Sequence, residues 1–126
     1  MKGFKVTGGK GFHLTFENGI TISTQFGGGN YCDNHDYPIT SMPYSTESQY
    51  KLEAETPTCP NAEIMIWIGK GSKEKDTITQ EVVNKVLGRN TSGDTVEGYI
   101  EVEEWIQIIN YLQEYKGEHH EAGSNN

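Results

Sequence analysis

The dipeptide Asn18-Gly19 constrains the fold more than any other feature, because it separates two runs of alternating apolar and polar residues. Asn-Gly supplies the two positive φ angles of a type I′ turn, whose twist matches that of paired antiparallel strands. The sequence therefore predicts a β-hairpin over residues 11–26, and the short run at residues 4–7 predicts a further strand before it. The residues predicted to share one face of the hairpin are Phe12, Leu14, Phe16, Ile20, Ile22, Thr24 and Phe26.

The second half of the chain predicts one more strand and then helices. Residues 63–68 are almost continuously apolar, as in a central strand covered on both faces. In residues 77–87 the apolar side chains follow a helical spacing, with Asp76 as N-cap and Gly88 as the stop, although a Val-rich segment can also pair as a strand. Residues 96–100 are expected to return briefly to the sheet.

Residues 102–115 give the strongest helical pattern, because their apolar residues recur at intervals of three and four. Glu101, Glu103 and Glu104 fall at its start, where negative charge suits the helix dipole, so capping is favoured over a catalytic role. The fold class predicted is α+β: a small antiparallel sheet with an N-terminal hairpin, plus one or two C-terminal helices. The length of 126 residues fits one domain, predicted over residues 1–116, followed by a flexible C-terminal tail at 117–126.

Composition bears on partners and on assembly. Only 33% of residues are hydrophobic, yet 10% are aromatic, which indicates a folded chain with a thin core and favours a homo-oligomer, dimer or hexamer. The net charge of -8 opposes binding to a nucleic acid polymer, while backbone amides can still hold a small anion. No apolar run approaches the ~20 residues of a membrane span, and the start lacks the apolar core of a signal peptide. A soluble, intracellular protein is therefore expected.

A glycine-rich loop after the hairpin is the first candidate binding site. Three consecutive glycines let a backbone approach a ligand closely and direct successive amides into one concavity. Neighbouring amide side chains and rings can contact the edge and the face of a nucleotide base. The alternative is a simple bend, in which Asn30 and Asn34 cap Asx turns and Tyr31 packs on the loop. The ligand-binding residues predicted here are Gln25, Phe26, Gly28, Gly29, Asn30, Tyr31 and Asn34.

Arg89 is the second candidate, because it is the only arginine of the chain and lies in a polar loop bounded by glycines. A guanidinium can contact a phosphate through two N–H groups or stack on a base. Asn90 and Thr91 add polar groups beside it, so all three are predicted to bind ligand. The alternative interpretation is a residue at a helix C-terminus that complements the helix dipole.

Metal binding and catalysis are not predicted. Cys32 and His35 form one ligand pair without a second, so no zinc site is expected, and the two cysteines, Cys32 and Cys59, are expected to be free thiols. His13 and His35 have no nucleophile or carboxylate at a recognisable spacing, so no catalytic residue is assigned. We expect neither a metal nor a cofactor, and the protein is predicted not to be an enzyme.

The stretch from Gly11 to Asn34, GFHLTFENGITISTQFGGGNYCDN, resembles the opening of a family of small bacteriophage proteins, the Thoeris anti-defence type 1 family. The later AEIMIW at residues 62–67 and DTVEGYI at residues 94–100 are similar to the remainder of that family. The resemblance covers about residues 3–115. Its most distinctive element is the run from Asn30 to Asn34.

The resemblance implies a non-enzymatic sponge in the host bacterial cytoplasm. Family members sequester cyclic ADP-ribose isomers made by bacterial TIR-domain immune proteins, and some also hold cyclic oligonucleotides. Members form hexamers built from dimers, with ligands enclosed at subunit contacts by aromatic stacking, an Asn and Arg contacts. Only the element from Asn30 to Asn34 carries over by motif, and the single arginine departs from what a second, oligonucleotide site needs. Two other functions stay open: a small nucleotide hydrolase or phosphodiesterase, and an acidic inhibitor that binds a host protein.

Overall fold

A computed structural model describes residues 2–8, 10–36, 58–69, 77–90 and 93–116. The predictions made for Thr91 and for the C-terminal tail at 117–126 lie outside these residues. Most of the long irregular segment after the glycine loop, residues 37–57, lies outside them too.

Five strands form one antiparallel sheet whose spatial order follows the chain order. They are β1 (Gly3–Thr7), β2 (Gly11–Thr15), β3 (Ile20–Gln25), β4 (Asn61–Ile68) and β5 (Glu97–Glu101). The apolar run predicted to be a central strand is β4, which lies between β3 and β5. The pairing of β4 with β5 is irregular between Ala62 and Ile64, as expected of a β-bulge.

The turn of the hairpin differs from the predicted type I′ turn. Of the non-glycine residues described, Tyr99 alone has a positive φ, so Asn18 lies in an ordinary region and Gly19, at φ 91°, takes the left-handed position. The Gly19 N–H donates to the Phe16 carbonyl at 2.9 Å, and the Phe16 N–H donates to the Ile20 carbonyl at 2.8 Å. This is a three-residue connection closed by a glycine bulge. It directs Asn18 Nδ2 to the Leu112 carbonyl, 2.9 Å away in the last helix.

In the part of the chain that the structure describes, two helices follow the strands or lie between them, α1 (Thr79–Leu87) and α2 (Val102–Gln113). Helix α1 has Ile78 as its N-cap instead of the predicted Asp76. The reason is tertiary: the Ile78 N–H donates to the Ile66 carbonyl at 2.8 Å, and Thr79 Oγ1 accepts from the Ile66 N–H at 2.8 Å, so β4 fixes where the helix begins. Gly88 ends α1 in the left-handed region, as predicted.

Helix α2 begins at a capping box made by two glutamates. Glu101 is the N-cap, and Glu104 Oε1 accepts from the Glu101 N–H at 2.8 Å. The capping role predicted for the acidic cluster at residues 101–104 is confirmed for these two residues.

Both helices pack on the same face of the sheet, and the core lies between that face and the helices. The architecture is the predicted α+β fold, with an antiparallel sheet, an N-terminal hairpin and two C-terminal helices. Among the residues described, neither helix is long and apolar enough to cross a bilayer. The buried core residues are Ile20, Ile22, Ile64, Ile66, Ile78, Val82, Val83, Ile100, Ile108, Leu112 and Tyr115.

Candidate functional site

The glycine-rich loop, residues 26–36, is a compact structure held by its own amides. Asn30 Oδ1 accepts from the Gly27 N–H at 3.0 Å, and Asn34 Nδ2 donates to the Phe26 carbonyl at 2.9 Å. The Gly29 N–H donates to the His35 carbonyl at 2.9 Å, which closes the loop at its far end. The two asparagines thus fix the loop's shape, in agreement with the alternative interpretation of the sequence.

Strand β4 anchors one side of this loop. The Asp33 N–H donates to Asn61 Oδ1 at 2.8 Å, and Asn30 Nδ2 donates to Glu63 Oε1 at 3.0 Å. Asn61 and Glu63 alternate with the apolar core residues of β4, so the pleat presents them to the loop while their neighbours pack under the helices.

Strand β5 anchors the other side through a close approach of two backbones. The Tyr99 N–H donates to the Tyr31 carbonyl at 2.9 Å. A Cβ atom on Gly98 would lie 2.5 Å from Tyr31 Cβ and 2.7 Å from its carbonyl oxygen, so only glycine permits this contact. Gly98 was missed as a site residue, although a glycine inside a strand is a signal of close backbone approach.

Arg89 reaches the same part of β5 from the loop after α1. Its Nη1 donates to the Gly98 carbonyl at 3.0 Å and to Glu97 Oε2 at 3.3 Å. Its Nη2 donates to the Tyr99 carbonyl at 3.0 Å and to Glu104 Oε1 at 2.7 Å. The guanidinium therefore connects α1, β5 and the start of α2, and its terminal N–H groups are used within the chain.

The two regions singled out from the sequence therefore meet at β5, beside an aromatic surface. We call this the Tyr31–Tyr99 surface and define it by the rings of Tyr31, His35 and Tyr99. The side chains of Tyr31 and Tyr99 are 49% and 47% exposed, and the rings of Tyr31 and His35 are stacked with centroids 5.8 Å apart and planes 11° apart. Tyr99 holds a φ of 52°, a strained backbone value for a residue with a large side chain.

The other predicted binding residues lie in different surroundings. Gln25 donates to Ser23 Oγ at 3.1 Å within β3 and to Thr7 Oγ1 at 2.7 Å, which links β3 to β1 across β2. The Gly28 carbonyl accepts from Lys10 Nζ at 3.3 Å, and Asn90 is exposed. Tyr31 therefore combines the predicted position with a half-exposed ring, while His35 and Tyr99 were not predicted to bind ligand.

Phe26 belongs instead to an apolar cavity of about 390 Å³ between the sheet and the start of α2. The rings of Phe12 and Trp105 stand edge to face, 6.2 Å apart, and Trp105 Nε1 donates to Thr24 Oγ1 at 2.9 Å. The volume suits a small organic group. The lining residues are Phe12, Thr24, Phe26, Thr58, Cys59, Pro60, Asn61, Ala62, Ile100, Val102 and Trp105.

Within the described ranges, two titratable groups have clearly shifted pKa values. Burial raises the pKa of the Cys32 thiol to about 11, and Cys59 and Glu63 add to this rise. Burial, with a smaller effect of Lys5, lowers the pKa of His13, whose ring stands edge to face against Trp67 on the opposite side of the sheet from the helices. Both cysteines are free thiols, as predicted, and the part of the chain that the structure describes holds no group of three or more metal-ligating side chains.

Comparison of the chain with models of protein families, with curated proteins and with solved structures gives no match.

Proposed function

We propose that this protein binds and sequesters a small cyclic nucleotide of the cyclic ADP-ribose type, without cleaving it, as a bacteriophage anti-defence protein in the host cytoplasm. One observation carries the proposal. The distinctive loop that contains Tyr31 and the loop that contains Arg89 converge on Gly98 and Tyr99, and they leave two half-exposed tyrosines, Tyr31 and Tyr99, joined by a backbone hydrogen bond. The sequence resemblance supplies the ligand class.

The exposed rings are the groups that suit a nucleotide base. A base stacks on a tyrosine face without needing a particular hydrogen-bond pattern, and each stacked base contributes about 1–3 kcal/mol. The backbone hydrogen bond between Tyr99 and Tyr31, together with the two carbonyl contacts of Arg89, holds this surface in place before any ligand arrives. Little ordering is then required on binding, which favours affinity.

The phosphates of such a ligand need partners other than Arg89, which the sequence predicted to contact them. Because the four terminal N–H groups of Arg89 are directed at chain oxygens, only Nε of this guanidinium remains to contact an anion. The Lys10 ammonium, at the Gly28 carbonyl, has further donors, and backbone amides can supply the rest. Arg89 therefore acts in this proposal mainly by positioning Tyr99.

The proposal includes a homo-oligomer, dimer or hexamer, and no membrane or nucleic acid polymer as partner. Phe4 and Val6 are 80% and 76% exposed on β1, the strand at the edge of the sheet, and they lie on the same face as the helices. Val102 and Ile106 add exposed apolar area on α2. A second copy that covers these residues would remove apolar surface from water and close the open edge.

A binding and recovery experiment tests the proposal. Purified protein is incubated with cyclic ADP-ribose isomers, separated from free ligand and heated, and the released molecule is identified by mass spectrometry. We expect recovery of the intact ligand. Release of a hydrolysed product would support a nucleotide hydrolase instead, and failure to retain any isomer would contradict the proposal and leave a host protein as the partner to seek.

Substitution of Tyr31 locates the site. Tyr31→Ala removes one stacking surface, so we expect the dissociation constant, measured by calorimetry, to rise about 5- to 150-fold. Lys85→Ala, on the exposed side of α1, is the matched control and should bind like the parent. If the Tyr31 variant binds as tightly as the control, the ligand lies elsewhere, and the apolar cavity at Phe26 becomes the next candidate.

A further inference from the structure

The two cysteines of the chain are 27 positions apart in sequence but meet in the structure. The Cys59 thiol lies 3.8 Å from Asn61 Oδ1 and is near enough to the Cys32 thiol to help raise its pKa. The same oxygen accepts the Asp33 N–H at 2.8 Å, so Asn61 holds Cys59 against the residue that follows Cys32. Asn61 therefore brings the two cysteines, both free thiols, into the same neighbourhood.

The two thiols differ sharply in access. Cys32 is fully buried, and its Sγ faces the Gly27 carbonyl at 3.7 Å. Cys59 is only partly buried and forms part of the wall of the apolar cavity, which is open to solvent at one side. A reagent can therefore reach Cys59 first, while Cys32 can react only with a sulfur that is already at Cys59.

We propose that Cys32 and Cys59 form a modification site that accepts small disulfides and converts them into an internal disulfide. In the first step, the Cys59 thiolate attacks one sulfur of a low-molecular-weight disulfide, which gives a mixed disulfide at Cys59 and releases one thiolate. In the second step, the Cys32 thiolate attacks the Cys59 sulfur, the Cys32–Cys59 bond forms, and the second small thiol leaves. The protein loses two hydrogen atoms, and the small disulfide is reduced to two thiols.

The internal disulfide would join two parts of the molecule that matter for binding. Cys32 follows Tyr31 in the glycine-rich loop, and Cys59 precedes β4 at the cavity wall. A covalent bond there adds to the contacts of Asn61 and Glu63 that already anchor the loop to β4. The chemistry at these two sulfur atoms does not depend on which ligand the protein binds.

The experiment uses the full chain and oxidised glutathione as the probe. Reduced protein is incubated with oxidised glutathione under native conditions, and intact mass and a non-reducing peptide map are recorded over time. We expect the wild-type protein to lose two hydrogens and to show a peptide cross-linked between Cys32 and Cys59, without lasting glutathione adduct. We also expect a rise of about 10 °C in the midpoint of thermal unfolding, because the bond restrains the unfolded chain.

Two single variants separate the steps. Cys32→Ala should keep a glutathione adduct at Cys59, because nothing displaces it, whereas Cys59→Ala should react at least about tenfold more slowly, since the remaining thiol is buried and little ionised. Circular dichroism checks that each variant is folded before reaction. If a variant does not fold, the reaction of the wild-type protein alone still tests the proposal. A lasting adduct on the wild-type protein, or equal reaction rates of the two variants, would overturn the proposal.

Discussion

Gly98 is the residue on which the position of the candidate surface depends most directly, because its missing side chain makes room for the backbone of Tyr31. Gly98→Ala would place a Cβ atom 2.5 Å from Tyr31 Cβ and push the glycine-rich loop away from β5. We expect a loss of about 1–3 kcal/mol in the free energy of unfolding, measured with urea, and weaker ligand retention. Gly93→Ala is a useful comparison, because Gly93 has open space around it and its positive φ adds backbone strain alone. If the Gly98 variant retains as much ligand as the parent, the Tyr31–Tyr99 surface is not the binding site.

Arg89 gives a second prediction at this scale, because its planar group contacts four oxygens in two elements, β5 and α2. A lysine keeps the positive charge but cannot span these acceptors, so Arg89→Lys should lower the free energy of unfolding by about 1–3 kcal/mol. Lys85→Arg, at an exposed position of α1, serves as a reference for the reverse exchange without buried partners. An unfolding midpoint equal to that of the parent would show that the four contacts contribute little.

His13 predicts how stability changes with pH. Its pKa is lowered in the folded protein, first by burial and then by Lys5, so below the ordinary value of about 6.5 the unfolded chain takes up a proton that the folded chain resists. The contribution of His13 to stability is therefore present above that pH and is lost as the pH falls towards the folded-state pKa. Urea unfolding at pH 7.5 and pH 5.5 checks this: His13→Gln should lose less stability between the two values than the parent does. An equal loss in both proteins would assign the effect to other groups.

At the scale of elements, the turn of the N-terminal hairpin also caps the C-terminal end of α2. Asn18 Nδ2 donates to the Leu112 carbonyl at 2.9 Å, near the end of α2, where that carbonyl otherwise has the Tyr115 N–H at 3.1 Å in place of a regular helical partner. Asn18→Asp keeps the oxygen that accepts from Ile20 but removes this donor and adds a negative charge at the negative end of the helix dipole. We expect a loss of about 1–2 kcal/mol in the free energy of unfolding. Asn110→Asp, exposed on α2, adds a similar charge without removing the bond and should cost clearly less.

The same elements show what sequence alone could predict. The alternation of apolar residues predicted β2 and β3, and their helical spacing predicted α1 and α2. Burial of one face determines the spacing of apolar residues in a strand and in a helix alike. The predictions of the turn type and of the N-cap of α1 were wrong. Contacts with residues distant in the chain determine both features, Leu112 for the turn and Ile66 for the N-cap. For the site, composition drew attention to Tyr31 and Arg89, but their convergence on Tyr99 depends on the position of β5, which no local pattern specifies.

For the whole molecule, the exposed apolar residues of β1 and α2 predict self-association. Val6→Glu and Ile106→Glu each place a charge in this apolar area, and we expect either change to shift the mass measured by light scattering towards the monomer at micromolar protein. Lys5→Glu reverses a charge on the opposite face of β1 and should leave the mass unchanged. A parent protein that is already a 14.1 kDa monomer would contradict the prediction.

The match between strand order and chain order has a consequence during synthesis. Each strand from β2 to β5 pairs with the strand made just before it, so the sheet can assemble as the chain leaves the ribosome. Helix α2 arrives last, and until then the isoleucines of β3 and β4 have no cover from that side. A chain whose synthesis stops before α2 has emerged would therefore hold a formed sheet whose apolar face is covered by α1 alone, the kind of intermediate that aggregates or recruits chaperones.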